Sequence, residues 1–144
     1  MVSNVWDDVP DWGGGVGALR MERAEGGLGS AVWELAPGAS QGLYHFHHAS
    51  EELLVVLRGT PTVRMHDGDR VLREGDVVPL PRGPEGGHQI RNEADAVARV
   101  LIVSTNANPD VAEYPETGKV GIQIDGQYRF HRVADQVEHA FPEE

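Results

Sequence analysis

The sequence predicts an all-β domain, a β-sandwich or small barrel. Three observations carry this. About eight short, apolar-alternating segments follow one another at hairpin spacing from Ser30 onward. Eighteen glycines and nine prolines punctuate them. No long amphipathic helical pattern interrupts them.

Taken in order, residues 1–29 are polar, acidic and glycine-rich, with Trp6 and Trp12 as isolated anchors. They read as an N-terminal arm that packs on a core or on a partner subunit, with a partly disordered end as the alternative. Gly13-Gly14-Gly15-Val16-Gly17-Ala18 matches a loose dinucleotide fingerprint. No strand pattern precedes it and no βαβ unit follows, so it is discounted. A barrel is expected over residues 30–104. Its strands are 30–36, closed by Pro37-Gly38, then 43–48, 52–58 and 62–65. Asp67-Gly68-Asp69 reads as a hairpin turn into 70–73, and Gly75-Asp76 as a turn into 77–80. Residues 88–92 and 97–104 complete the set. The last is apolar on both faces except at Arg99, so it needs cover from the arm or from a second subunit.

Residues 105–144 form a C-terminal extension that packs on the barrel or on a partner. Residues 105–119 read as a proline-containing loop. Strands are expected over 120–125 and 128–133, with a short helical turn in the acidic end. Exposed edges of such a sheet must be covered, which suggests a homodimer sharing tails or edge strands.

Composition narrows the partners. The net charge of −11 disfavours nucleic acid and anionic membranes. The absence of cysteine excludes disulfides, thiolate metal sites and cysteine nucleophiles, and fits a cytoplasmic protein. No stretch approaches a membrane span, and the first residues lack the basic and apolar regions of a signal peptide.

The chemistry concentrates between Gly42 and Gly59. Three of the seven histidines fall within four positions, followed by Glu51 and Glu52. On a strand, His45 and His47 project to the same face. Glu52 opens the next strand, so two imidazoles and a carboxylate can converge from neighbouring strands. His88 is the candidate fourth ligand; it shares a face with Ile90 and Asn92, opposite Gln89 and Arg91. Imidazole and carboxylate together suit a divalent transition metal. A decorated β surface is the ordinary alternative for any one of these histidines. His48 should face away from His45 and His47, and Glu51 is the rival to Glu52. His66, His131 and His139 sit in turn-like or terminal contexts and read as solvated. Glu85 reads as a solvated loop charge, with general acid or base as the lesser alternative. Gly38-Ala39-Ser40-Gln41-Gly42 fits a hydrolase elbow in letters only, because a strand pattern follows where a helix is needed. Thr117-Gly118-Lys119 lacks the upstream glycine of a phosphate loop.

These spacings resemble the two motifs of the cupin superfamily. His45-x-His47, Glu52 and Gly59 resemble the first; Gly75, Pro81-x-Gly83, His88 and Asn92 resemble the second. The chain departs twice: Ala39 stands where a glycine is usual, and four residues, Pro84-Glu85-Gly86-Gly87, precede His88 where two are usual. The stretches His45–Gly59, Pro81–Gly87 and Tyr114–Lys119 are similar to small single-domain bacterial cupins, with the similarity running over residues 40–122. The resemblance implies a double-stranded β-helix, or jelly roll. It also implies one divalent ion (Fe, Mn, Ni, Zn, Co or Cu) held by His45, His47, Glu52 and His88. The expected function is a metal-dependent enzyme on a small organic molecule, dioxygenase-like or isomerase-like. The alternative is a non-catalytic module that binds a small molecule or metal.

Overall fold

The computed structural model describes residues 2–138. Twelve strands run β1 (Val16–Arg20), β2 (Gly29–Leu35), β3 (Ser40–His47), β4 (Glu52–Arg58), β5 (Thr62–Met65), β6 (Gly68–Val71), β7 (Val77–Leu80), β8 (His88–Arg91), β9 (Ala98–Ser104), β10 (Asp110–Tyr114), β11 (Lys119–Ile124) and β12 (Gln127–Arg132). They form two antiparallel sheets, ordered β1-β2-β9-β4-β7 and β12-β11-β10-β3-β8-β5-β6. The pairings are nested: β2 with β9, β3 with β8, β4 with β7, β5 with β6. This is one long hairpin rolled up so that successive strand pairs alternate between sheets, which makes a jelly roll.

Alternation in sequence becomes burial. Along the inner face of the five-stranded sheet, Leu35, Ala98, Val100, Leu54 and Val56 are buried, and Val63 and Ile90 meet them from the other sheet. At about 25 cal/mol per Å², this apolar burial is the main force closing the two sheets.

The outer face near Arg99 is covered by the N-terminal residues. The Arg99 guanidinium donates to Val5 O at 2.9 Å, to Asp7 O and to Glu34 Oε2, and lies near the Trp6 ring. So the one charged outward position of this strand, Arg99, is held by the arm. Trp12 packs edge-on against Trp33 with centroids 5.2 Å apart.

Several elements differ from the sequence expectation. Residues 16–20, read as arm, pair with β2 as β1. Residues 110–114, read as loop, form β10, because Asp110 and Ala112 face inward in a pattern with little hydrophobic signal. The β5–β6 turn is His66-Asp67 rather than Asp67-Gly68-Asp69, since Met65 pairs with Gly68. The C-terminal turn is a single 3₁₀ turn at Val133–Asp135; His139 and the rest of the acidic end lie outside the described residues. The glycines at 13–15 form a turn into β1, and Ser40 begins β3, so neither the fingerprint nor the elbow takes its functional shape. No helix among the described residues is long and apolar enough to cross a membrane.

Candidate metal centre

Three strands bring the four predicted residues together at one end of the barrel. His45 and His47 share a face of β3, and His88 opens β8 directly opposite His45. Glu52 opens β4 in the facing sheet. Between Gln41 and His45 strand β3 carries three residues where β8 has one, a bulge taken up by Gly42 at φ +62°. The extra residues come as a pair, so Gln41 and His45 stay on the inward side.

Each imidazole is fixed through Nδ1. His45 Nδ1 donates to Leu43 O, His47 Nδ1 to Asp110 Oδ2 and His88 Nδ1 to Gly86 O, all at 2.8 Å. A carbonyl or carboxylate can only accept, so each Nδ1 carries a proton, and in the neutral ring Nε2 then presents the lone pair. Glu52 Oε2 lies 3.8 Å from His47 Nε2 and 3.6 Å from His88 Nε2. The His45 ring is 5.1 Å from that of His47 and 4.7 Å from that of His88, centroid to centroid. Tyr114 stacks on the His45 ring at 5.4 Å.

Electrostatics match the geometry. Burial holds the His45 imidazole below its ordinary range. Burial, then the neighbouring His45, pushes His88 down to about 3. Both rings are therefore neutral at neutral pH. Burial raises the Glu52 carboxyl, partly offset by His47. For Asp110, burial would raise the carboxyl, but hydrogen bonds from Ser50 and Ala49 and its contact with His47 outweigh that and lower it.

The donor set fits a divalent transition metal by its chemistry: three imidazoles presenting Nε2, one carboxylate and a carboxylate behind one histidine. Ligands at ~2.1 Å from an ion stand ~3.0–3.4 Å apart. The separations of 3.6 and 3.8 Å are a few tenths wider, and among the described residues no three such groups form a finished cage.

The insertion before His88 has a visible role. Pro84–Gly86 forms a 3₁₀ turn that delivers the Gly86 carbonyl to His88. A Cβ on Gly86 would fall 1.7 Å from the Pro81 backbone O, so only glycine fits there; one on Gly87 would fall 2.4 Å from the Tyr44 hydroxyl, so that side chain would have to shift. Asn92 is structural: its Nδ2 donates to Leu35 O and Ala96 O.

The remaining candidates lie apart. His48 is exposed and paired with Glu113, Glu51 faces Arg82, and His66, His131 and Glu85 are exposed. Sequence reasoning missed Asp110, which sits 63 residues from His47 in a stretch with no motif.

The centre opens into a cavity of about 550 Å³, within the range of small-molecule sites. Its walls include Tyr114, Tyr128, Phe130 and Gln41, whose Oε1 is buried without a hydrogen-bond partner.

The comparisons agree with this architecture. A sugar phosphate isomerase of the cupin superfamily from Silicibacter pomeroyi DSS-3 is 27% identical, with a TM-score of 0.75 over 84% of this chain and 78% of that one. A provisionally named sugar phosphate isomerase from Acidithiobacillus ferrooxidans is 25% identical, with a TM-score of 0.71 over 85% and 81%. KdgF from Halomonas sp., 21% identical with a TM-score of 0.57 over 72% and 93%, shares the fold. No curated protein matches the sequence. The cupin-domain family profile matches residues 31–104, about half of the chain and nearly all of the rolled hairpin. The chain belongs to the cupin domain family.

Proposed function

We propose that this chain is a metal-binding cupin enzyme that isomerises a small sugar-like substrate. The carrying observation is the convergence of His45, His47, His88 and Glu52, with every Nδ1 already donating and the Nε2 atoms left free. These four residues would hold the ion, after their side chains close in on it. When bound, a divalent ion would supply Lewis-acid polarisation of adjacent carbonyl and hydroxyl oxygens, which favours isomerisation between them. Asp110 keeps His47 in the ligating tautomer. Tyr114 backs the His45 ring and Tyr128 walls the cavity, so a substrate there is shielded from water on those sides.

Isomerisation is favoured over oxygen chemistry by the two similar structures, each covered over most of its length and named for sugar phosphate isomerase activity. The proposal extends to a homodimer. Strand β12 is an edge exposed along its whole length, with Tyr128 and Phe130 at its surface. A monomeric sedimentation mass would remove the dimer.

The test is elemental analysis of tag-free protein beside the double variant His47→Ala, Glu52→Ala. Near-stoichiometric metal in the wild type, lost in the variant, is expected. Reconstituted wild type that stays metal-free with iron, manganese, nickel, cobalt, copper and zinc would overturn the metal reading. Loaded protein is then assayed for aldose–ketose interconversion and for oxygen uptake. Oxygen uptake without interconversion would replace the isomerase by an oxygenase, and tight binding without turnover would replace it by a binding module.

A further inference from the structure

We infer that Arg20 and Arg23 form a phosphate-reading end of the cavity, opposite the four metal-binding residues. The assignment rests on the preceding reading for the other end of the ligand, and adds to it which residues select the substrate.

Position comes first. Arg20 ends β1 on the inward face, in the cross-strand row Arg20–Ala31–Ile102–Leu54. Three strand spacings, ~14 Å, separate its backbone from β4. The next inward row is Gly29–Ser104–Glu52, so Gly29 stands two spacings, ~10 Å, from the carboxylate residue. Arg23 lies across Gly29: a Cβ there would come 2.9 Å from Arg23 Cγ and 3.4 Å from its Nε. The missing side chain makes the notch that carries the Arg23 stem to the cavity wall. A ligand with its oxygens at the imidazoles and a short carbon chain would bring its far end to these two guanidinium groups.

Charge comes second. Six of the twelve basic residues, Arg64, Arg70, Arg73, Arg82, Arg91 and Arg99, are matched with carboxylates; Arg58, Lys119, Arg129 and Arg132 have no ion pair among the described residues but do not line this cavity. Arg20 and Arg23 are the cationic residues lining this cavity, and neither has an ion pair or a side-chain hydrogen bond among the described residues. Two unmatched guanidinium groups at a cavity mouth suit a phosphate monoester, which offers two negative charges and several acceptor oxygens. A neutral sugar would leave both without a charged partner. Asn106, held beside Gly29 by bonds to Gly27 O and Ser104 O, adds a polar wall between them and the floor.

The test is calorimetric titration of metal-loaded protein with glucose 6-phosphate, glucose, glucuronate, inorganic phosphate and a panel of three- to six-carbon sugar phosphates. At least one phosphate ester should bind about tenfold or more tightly than its neutral parent. That advantage should vanish in the double variant Arg20→Gln, Arg23→Gln, with metal content and thermal midpoint unchanged. Partial return with lysine at both positions is expected, because lysine restores charge without the planar fork. The proposal is overturned if no phosphate ester outbinds its neutral parent, if glucuronate gains as much, or if the double variant binds as the wild type does. Inorganic phosphate titrated into chelator-treated protein separates this from the metal reading. Arginine-dependent phosphate binding there keeps the assignment even where the wild type takes up no metal.

Discussion

The floor and the mouth of the cavity are built on opposite plans. At the floor each imidazole is tied through Nδ1 at 2.8 Å, and two of the rings are held neutral by burial. At the mouth Arg20 and Arg23 are exposed and tied to nothing among the described residues. The floor has its orientation fixed before anything binds, as metal ligands need. The mouth keeps its charges unspent, so a ligand can supply the partner. On the proposed reading, substitutions at one end should leave the other end's properties unchanged.

The sharpest break of the floor, short of removing a ligand, is Asp110→Asn. The amide oxygen can still accept from Ala49 and Val111, but the tie to His47 Nδ1 is lost. Metal affinity should fall ~10–100-fold with the fold intact. An unchanged metal Kd in competition titration would show that Asp110 does not orient His47.

Gly86→Ala strikes the turn beneath His88. The clash with Pro81 O is against backbone, so the turn itself must move. A loss of ~1–3 kcal/mol in denaturant unfolding, with weakened metal retention, is expected. Wild-type metal retention would mean that the Gly86 carbonyl is dispensable.

Arg99→Ala tests a region remote from both ends. It removes the ties to Val5 O, Asp7 O and Glu34 that hold the arm. Stability should drop by ~1–3 kcal/mol, and proteolysis near the N-terminus should speed up, while metal content stays constant. If metal is lost too, the outer face and the floor are coupled.

Glu85→Gln should do least. The residue is exposed on the inserted turn and does not line the cavity. Its effect on stability should stay within ~0.5 kcal/mol, with activity of the loaded protein unchanged. A large loss of activity would restore Glu85 as an acid or base.

Much of this could be read from the chain because strand alternation is a local rule. The phase of His45 and His47 follows from their two-residue spacing, and that of His88, Ile90 and Asn92 likewise; the last three are each at most 2% exposed. Glu52 was legible from its place at the head of an apolar run. Strand β10 was not, because Asp110 and Ala112 have neither hydrophobic bulk nor β-branching to mark an inward face. Strand β1 was hidden in the same way by its glycine and alanine.

The sequence alone determined the strand ladder apart from β1 and β10, the cupin resemblance and the identity of the four converging side chains. Periodicity and spacing are carried by neighbours along the chain. Tertiary structure decided the acceptor behind each imidazole, the cover on Arg99 and the arginines at the mouth. Asp110 reaches His47 across 63 residues, Arg99 reaches Val5 across 94, and Arg23 lies against Gly29 at the cavity wall. Such contacts depend on which strands the rolled hairpin sets side by side, and no local pattern records that.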